Sequence, residues 1–350
     1  MASQGIIHGG TKYALSGVFG DPSQAIAGMP DAWRECLAGR GPVDLSACRV
    51  ASKQVYLWSQ PGRGQKLAGS LAGTALRSRV RELEENERPP ALRDAGDARV
   101  SELSELVLDV MSLVDALVHD HRDLVCALEP AAKLRRSAAG AQLVLPRCTL
   151  APRCLLLAAG AGNAELLAQL GATEPRMQRR PLQQVLVRHE YPEPLFAHCI
   201  GISTAPRLTV TTHRRANGDS VWYLGGDLAT ESVDDPPAQL IDKARRELPA
   251  LLPWLELGRT EWRTLELDRA EPRQSNRLRP DSAFVGRVDS VDNTLVAWPT
   301  KLTLTPDLSD EVERQLAAAD ILPRHQPDLA PLQSLGTPPL AATYWDTLFR

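Results

Sequence analysis

The sequence lacks the features of several large protein classes. No apolar run approaches the roughly 18 residues of a membrane span. Neither charge sign dominates, since 40 Lys and Arg face 43 Asp and Glu, so the charge does not favour nucleic acid or an anionic membrane surface as a partner. Residues 1–10 lack the basic start and apolar stretch of a signal peptide. These absences predict a globular cytoplasmic protein.

Several catalytic and metal-binding motifs are missing too. There is no G-x-S-x-G elbow and no phosphate-loop lysine motif, which excludes the usual signatures of serine hydrolases and P-loop NTPases. The six cysteines include no C-x-x-C pair, which predicts reduced structural thiols. His119 and His121 are two residues apart on a predicted helix and so face different sides. With no other histidine at ligand spacing, we expect no metal site.

The segments that are present alternate between helical and strand-like patterns. Helical patterns predict helices starting near Asp21 and over residues 111–121, 236–248 and 306–319. Residues 65–77 and 78–88 are typical of highly charged helices. Strand-like runs occupy residues 49–58, 100–110, 153–159 and 284–304, with a short apolar run at 123–128. The last 28 residues are rich in proline and predict an extended tail packed on the surface.

From residue 181 onward the pattern predicts an antiparallel sheet. Four alternating runs follow one another at 181–191, 194–202, 206–215 and 220–228. Asn217-Gly218 between the last two is a hairpin turn signal, because both central positions of a two-residue turn need positive φ. Together with the earlier elements, this sheet predicts an α/β layer and an α+β layer threaded by one chain.

Two glycine-rich segments leave alternatives open. The apolar run 153–159 predicts a strand buried on both faces, and it enters Gly160-Ala161-Gly162 and then a helix. This is half of a dinucleotide fingerprint, with Glu165 where the third glycine belongs. The segment GIIHGGTKYAL sets His8, Lys12 and Tyr13 in a glycine frame. It is either a site that approaches a flat ligand closely or an ordinary mobile N-terminus.

In this order, the segments resemble the FAD-dependent oxidoreductases of the D-amino-acid oxidase-like family. Residues 3–10 are similar to the segment that follows the family's second Rossmann strand and runs under the flavin. Residues 109–118 resemble a strand-to-helix step, with 123–128 as the adenine-side strand. Residues 155–163 resemble the strand and glycine turn that close over the FAD pyrophosphate, and 277–312 resemble the C-terminal flavin-binding block.

The resemblance implies a fold class and a domain plan. The fold is α/β plus α+β, with an incomplete Rossmann-like FAD-binding layer interleaved with a substrate domain on an antiparallel sheet. Residues 1–48, 100–180 and 265–322 form the FAD-binding part, 49–99 and 181–264 the substrate-binding part, and 323–350 the tail. The family's first strand, its G-x-G-x-x-G turn and its ribose-binding acid have no counterpart. A unit of roughly 30 or more residues is expected before Met1.

The resemblance also implies a reaction. Hydride passes to FAD from a carbon next to nitrogen or a hydroxyl, in a small amino or hydroxy acid or an amine, and oxygen or a carrier accepts the electrons. The alternative is a non-catalytic fragment or binding module without tightly bound FAD. The implied catalytic residues are His8, Tyr13, Lys301 and Arg277, with Arg214 or Arg215 as another clamp for a substrate carboxylate. The implied cofactor contacts are Ser3, Gln4, Gly5, Ile6, Val125, Ala159, Gly160, Gly162, Asn163, Lys301, Leu302 and Thr303.

Overall fold

The computed structural model describes residues 1–9, 21–59, 80–200, 206–274, 282–324 and 328–350. The chain divides into two compact units. Unit 1 comprises Met1–Leu113, Pro181–Leu267 and Ala341–Arg350, and unit 2 comprises Val114–Arg180 and Asp268–Leu340. This division differs from the predicted domain plan, because residues 1–48 and 100–113 share a unit with the strands of 181–264. The assignment of FAD and substrate parts stays a prediction.

An eight-stranded sheet forms the centre of unit 1. Its strands, in the order in which they lie in the sheet, are β15 (Glu261–Pro272), β11 (Met177–His189), β14 (Ser220–Gly225), β13 (Pro206–Arg214), β12 (Ala197–Ile200), β3 (Val55–Ser59), β5 (Arg99–Leu103) and β4 (Val80–Glu82). Strand β14 pairs antiparallel with β11 and with β13, and β13 also pairs antiparallel with β12. These pairs confirm the sheet predicted from residue 181 onward. Strands β12 and β3 run parallel.

Strands β13 and β14 form the predicted hairpin, but its turn differs from the predicted two-residue turn. The backbone N–H of Gly218 donates to the carbonyl of Arg215, and the N–H of Arg215 donates to the carbonyl of Asp219. Of the two predicted turn residues only Gly218 has positive φ, at 92°. The hairpin is therefore a three-residue loop with a glycine bulge, which needs one left-handed residue instead of two.

One face of the sheet is apolar and packs on a helix. Val187 lies opposite Trp222 in the register, so the two side chains share this face. The helix is α5 (Pro237–Leu251), and Leu240, Ala244 and Leu248 recur on it at four-residue spacing. These residues belong to one buried cluster. The helix predicted at 236–248 is confirmed.

The C-terminal residues contribute to the core on the other face. Trp345 and Phe349 are only 4% and 5% exposed, and they pack with Leu186, Val221 and Tyr223. Trp345 lies in the short helix α7 (Tyr344–Thr347). The prediction of an extended surface tail is therefore wrong for the last ten residues, because their large apolar side chains fill this face.

Unit 1 also holds a small sheet and two helices. The sheet has the order β1 (Ile6–Ile7), β6 (Leu106–Leu108) and β2 (Val50–Ser52), and its pairs are antiparallel. Helix α1 (Asp21–Leu37) confirms the helix predicted from Asp21. Helix α2 (Val110–His119) confirms the one predicted at 111–121. Its last six residues lie beyond the unit boundary at Leu113 and include the exposed His119.

Unit 2 contains two three-stranded sheets and two further helices. One sheet has the order β10 (Leu155–Leu157), β17 (Thr294–Trp298) and β16 (Phe284–Arg287), and the other has β7 (Lys133–Ser137), β8 (Gly140–Val144) and β9 (Thr149–Leu150). The helices are α3 (Asn163–Gln169) and α6 (Thr305–Ala318), the latter confirming the helix predicted at 306–319. A further short helix, α4 (Asp227–Thr230), lies in unit 1.

Strand β10 differs from the prediction for 153–159. It spans three residues, runs parallel to β17, and lies at the edge of its sheet within the described part of the chain. Leu156 is 38% exposed, so the strand is not buried on both faces. A continuous apolar run indicated a central strand, but the run itself carries no information on how many neighbours the strand has.

Two other predictions are wrong. Residues 80–82 form an edge strand and 85–87 a single 3-10 turn, where a charged helix was expected at 78–88. Residues 122–124 form a 3-10 turn and the rest of the 123–128 run joins no described strand. The helix predicted at 65–77 lies outside the described residues. All six cysteines are free thiols, as expected. Among the helices described, none has the length and apolar character needed to cross a membrane.

Candidate active site

The second face of the large sheet carries an unusual density of polar side chains. Strand pleating places alternate residues of β12, β13 and β14 on this face. His198 lies opposite Thr209, and Thr211 lies opposite Tyr223. All four side chains are buried. Buried polar groups cost free energy unless they find partners, so a face of this kind is retained where it serves a structural network or a site.

His8 and Glu105 form an ion-pair geometry beside this face. Nδ1 of His8 lies 3.3 Å from Oε2 of Glu105, whose side chain is 4% exposed against 25% for His8. The other carboxylate oxygen, Oε1, accepts a hydrogen bond of 2.8 Å from the backbone N–H of Gly9. His8 directly follows β1, and Glu105 lies in the two-residue connection between β5 and β6. The paired strands β1 and β6 therefore fix both residues.

His198 extends this pair into a cluster of three. Its ring lies 6.1 Å from that of His8, with the two planes inclined by 27°. Nδ1 of His198 is 2.8 Å from the hydroxyl oxygen of Thr209. One nitrogen or oxygen from each of His8, Glu105 and His198 lies within 4.8 Å of the others. The sequence predicted no metal site, because these three positions are far apart along the chain.

A hydrogen-bond network continues from Gln4 across the same face. The amide of Gln4 donates to the hydroxyl of Thr211 at 3.2 Å and to the carbonyl of Tyr223 at 3.0 Å. The Thr211 hydroxyl also lies 3.0 Å from Nε2 of His213. Burial lowers the pKa of His213 to about 3 and raises the pKa of the Tyr223 phenol. Both groups are therefore neutral near pH 7.

In unit 2, the glycine turn that follows β10 is held by two side chains. The indole N–H of Trp298 donates to the carbonyl of Gly160 at 3.1 Å. Oδ1 of Asn163 accepts from the N–H of Ala159 at 2.8 Å, and its amide donates to the carbonyl of Ala297 at 3.1 Å. Asn163 is fully buried, so its side chain braces the turn. Gly160 needs its glycine for a φ of 58°, and a Cβ there would meet no atom.

Lys301 lies at the start of a helical segment in the same unit. A 3-10 turn, Leu302–Leu304, leads directly into α6, whose N-terminus has no side-chain cap. Lys301 is half-buried, and Thr303 is buried. A helix N-terminus carries a partial positive charge, which a nearby cation reinforces. This end of α6 is suited to an anionic or acceptor-rich group.

The structure places the remaining predicted residues as follows. Ser3 accepts a hydrogen bond from the N–H of Gly5 through its hydroxyl, and Ile6 packs in a small core cluster. Gly5 has a φ of 78°, and a Cβ there would lie 2.1 Å from the Leu108 carbonyl oxygen, so close packing of backbone explains this glycine. Val125 is half-buried and follows a 3-10 turn. Tyr13 and Arg277 lie outside the described residues.

Arg214 and Arg215 of the hairpin differ in their surroundings. Arg215 donates to Asp219 at 3.0 Å and to the carbonyl of Phe349 at 2.9 Å, so its guanidinium holds the hairpin to the C-terminus. Arg214 is exposed. Sequence reasoning missed Glu105 and His198, whose side chains meet His8 only in the folded chain. The available signals were a histidine within the apolar run of β12 and an acid directly before the apolar strand β6.

No family model matches the chain. A probable FAD-dependent oxidoreductase of Pseudomonas aeruginosa is 46% identical over 349 residues, which cover 99% of this chain and 88% of that protein. This chain belongs to the FAD-dependent oxidoreductases. The predicted enzyme class and the predicted FAD cofactor are thereby confirmed.

Solved structures agree with this assignment. A crystal structure of an FAD-dependent oxidoreductase from Pseudomonas aeruginosa matches with a TM-score of 0.84 and 41% identity, over 99% of this chain and 87% of that one. An iminodiacetate oxidase from Chelativorans sp. matches with 0.61 and 14%, over 95% and 88%. A glycine oxidase from Geobacillus kaustophilus matches with 0.55 and 18%, over 94% and 86%. The last two share the fold, which confirms the predicted fold class.

The donor groups of the oxidoreductase fit FAD in their chemistry. FAD presents phosphate oxygens and ring acceptors, which hydrogen-bond donors and cations bind. In unit 2, the uncapped N-terminus of α6 with Lys301 is a group of this type. The individual contacts with Ser3, Gly5, Val125 and the other predicted residues stay predictions.

Proposed function

We propose that this oxidoreductase oxidises a C–N or C–OH bond of a small amino or hydroxy acid or an amine. Bound FAD accepts the hydride and so supplies the redox chemistry. Two proteins of the same fold support this substrate class, since one is an iminodiacetate oxidase and another a glycine oxidase. The observation in this chain that carries the proposal is the His8–Glu105 pair beside the polar face of the sheet.

His8 is the proposed proton acceptor. Oxidation of an amine or alcohol releases the N–H or O–H proton as the carbon loses its hydride, and a base must receive that proton. An ionised carboxylate only accepts hydrogen bonds, so Glu105 favours the tautomer of His8 that carries its proton on Nδ1. Nε2 then receives the substrate proton. The buried carboxylate stabilises the imidazolium that forms.

A substrate carboxylate needs a cation, and Arg277 is the proposed clamp. A guanidinium binds a carboxylate through two parallel hydrogen bonds, which fixes orientation as well as affinity. Arg214 is the second choice because it is exposed, whereas Arg215 is already engaged by Asp219 and Phe349. Tyr13 is proposed to orient the substrate through its phenol.

Lys301 is proposed to act on the flavin. With flavin bound there, a cation at the positive end of α6 would stabilise the negative charge that reduction adds near N1 and O2 of the ring. Leu302 and Thr303 begin the 3-10 turn that leads into this helix, and their backbone N–H groups are proposed donors to the same atoms. The glycine turn at Gly160 and Gly162 is proposed to bind the pyrophosphate.

The test is anaerobic reduction of the purified flavin-loaded protein. Small amino acids, hydroxy acids and amines are added one at a time, and loss of flavin absorbance is followed in a stopped-flow spectrometer. At least one member of the panel is expected to reduce the flavin. His8→Gln is expected to slow that reduction about 100-fold, within the range for loss of a general base.

The matched control is His119→Gln at the exposed end of α2. It should leave the reduction rate unchanged. Glu105→Gln keeps the shape of the side chain but removes its charge, so it should slow reduction less than His8→Gln and move the pH profile of the rate. A panel that leaves the flavin oxidised, or a His8→Gln protein as fast as the control, contradicts the proposal.

A further inference from the structure

Three side chains from separate parts of unit 1 meet at one point. His8 follows β1, Glu105 lies between β5 and β6, and His198 lies within β12. One potential ligand atom from each lies within 4.8 Å of the other two. From this juxtaposition we propose that His8, Glu105 and His198 bind a divalent first-row transition-metal ion, with Zn²⁺ as the ion that the ligand set fits best.

The spacing of the ligand atoms fits coordination. Two ligands about 2.0 to 2.1 Å from a tetrahedral zinc ion lie about 3.4 Å from each other. Nδ1 of His8 and Oε2 of Glu105 are already 3.3 Å apart. No two ligand atoms of the cluster are more than 4.8 Å apart. A side-chain movement of about 1.4 Å at most therefore brings any pair to the separation found around zinc. The site needs no rearrangement of the strands.

Groups around the cluster hold the ligands in orientation. Oε1 of Glu105 accepts the N–H of Gly9 at 2.8 Å, which leaves Oε2 directed at His8. The hydroxyl of Thr209 lies 2.8 Å from Nδ1 of His198 and fixes the plane of that ring. Partners of this kind orient metal ligands in proteins, and their removal commonly weakens metal binding by about 10- to 100-fold.

The ligand types decide which ion binds. Two imidazoles and one carboxylate suit Zn²⁺ and its neighbours, whereas Mg²⁺ and Ca²⁺ prefer sites made wholly of oxygen. Three protein ligands leave one position of a tetrahedral ion for water or another small ligand. Glu105 and His198 are buried, and His8 is partly exposed, so the ion enters past His8.

Zinc at this site has a consequence for catalysis. With zinc on Nδ1, the neutral imidazole of His8 carries its own proton on Nε2, so Nε2 has no lone pair for the substrate proton. The carboxylate that stabilises the imidazolium is then bound to the ion as well. Zinc is therefore expected to inhibit substrate oxidation. The inhibition rests on the role proposed for His8 above, whereas the binding of zinc does not.

The experiment measures bound metal in the flavin-loaded protein. Chelator-treated protein is dialysed against ZnCl₂, bound zinc per chain is measured by atomic emission, and affinity is measured by calorimetry. Free thiols also bind zinc, so the decisive quantity is the difference between variants. His198→Asn and Glu105→Gln should each bind one zinc ion per chain fewer than the wild type. His119→Asn should bind as many as the wild type.

The variant Thr209→Val provides a second test in case a substitution of a ligand prevents folding. It keeps all three ligands and should weaken binding at this site about 10-fold or more without changing the number of ions bound. Bound FAD and the thermal unfolding midpoint are recorded for each protein. The proposal is overturned if the wild type binds no zinc at a position sensitive to His198→Asn, Glu105→Gln or Thr209→Val. If zinc binds there and substrate oxidation is not inhibited, the metal site stands and the role of His8 fails.

Discussion

Trp345 stacks on His213, with ring centroids 4.0 Å apart and planes inclined by 21°. The contact joins the C-terminal helix α7 to the polar face of the large sheet. Thr343 caps that helix, since its hydroxyl accepts the N–H of Asp346. The stack also keeps water from His213, whose Nε2 faces the hydroxyl of Thr211. The end of the chain is thus part of the structure that shapes this face.

Removing the Trp345 side chain should destabilise the protein. Trp345→Ala leaves a cavity against His213 and Tyr223 and is expected to lower the free energy of unfolding by about 3 to 5 kcal/mol. Trp345→Phe keeps an aromatic ring and should cost less. Urea unfolding at pH 7 measures both. Equal stability of Trp345→Ala and wild type would show that the tail does not contribute to the core.

Acid should destabilise the fold through its buried histidines. Burial lowers the pKa of His213 to about 3 and that of His189 to about 4, against about 6.5 in the unfolded chain. Below about pH 6.5, these two histidines therefore bind protons in the unfolded state that they do not bind in the folded state. This part of the stability is complete above that pH and is lost as the pH falls towards the folded pKa values.

The variant His213→Gln tests this pH dependence. It removes one of the two groups, so the free energy of unfolding should fall less steeply between about pH 6 and 4, by up to about 1.4 kcal/mol per pH unit. Urea unfolding at several pH values gives the slope. His119→Gln, at an exposed helix end, should keep the wild-type slope. A His213→Gln protein with the wild-type slope would mean that His213 is not buried in its neutral form.

Gly5 is expected to tolerate no side chain. Its φ of 78° disfavours other residues, and a Cβ would lie 2.1 Å from the Leu108 carbonyl oxygen. Gly171 has a similar φ of 66° but open space around its Cβ position. Gly171→Ala should cost about 1 to 2 kcal/mol from backbone strain, and Gly5→Ala about 2 to 5 kcal/mol. Thermal and urea unfolding compare them, and equal costs would contradict the close contact at Leu108.

Lys301→Met tests the proposed stabilisation of the reduced flavin. Loss of the cation should slow flavin reduction by about 10-fold or more and make the flavin midpoint potential more negative. Redox titration of the flavin-loaded protein measures the potential, and stopped flow measures the rate. Lys133→Met, an exposed lysine of β7, serves as the control. An unchanged potential in Lys301→Met would exclude this role.

Sequence patterns predicted much of the sheet because alternation and turn residues are local signals. The four strands after residue 181 and the turn at Asn217-Gly218 were found in this way. Charge misled the prediction at 78–88. There Arg81 bonds Glu102 at 2.8 Å and Arg99 bonds Glu82 at 2.7 Å across β4 and β5. Charged residues typical of an exposed helix serve equally well on an exposed edge strand.

The resemblance to a family was carried by the order of loose motifs along the chain, and a 46% identical relative confirmed the class of FAD-dependent oxidoreductases. The same local patterns indicated a strand at 123–128. Leu124 and Leu128 are instead mostly exposed there, at 63% and 58%. An apolar run predicts burial only where a partner strand or helix covers it.

By itself, the sequence determined the alternating strands, the amphipathic helix α5, the glycine turn after β10 and the position of His8 in a glycine-rich segment. Only the tertiary structure decided that Glu105 and His198 lie beside His8. The pairing of β1 with β6 and of β12 with β13 brings these residues together. Strand pairing is a long-range interaction, and local periodicity records which face a residue takes but not which distant residue it meets.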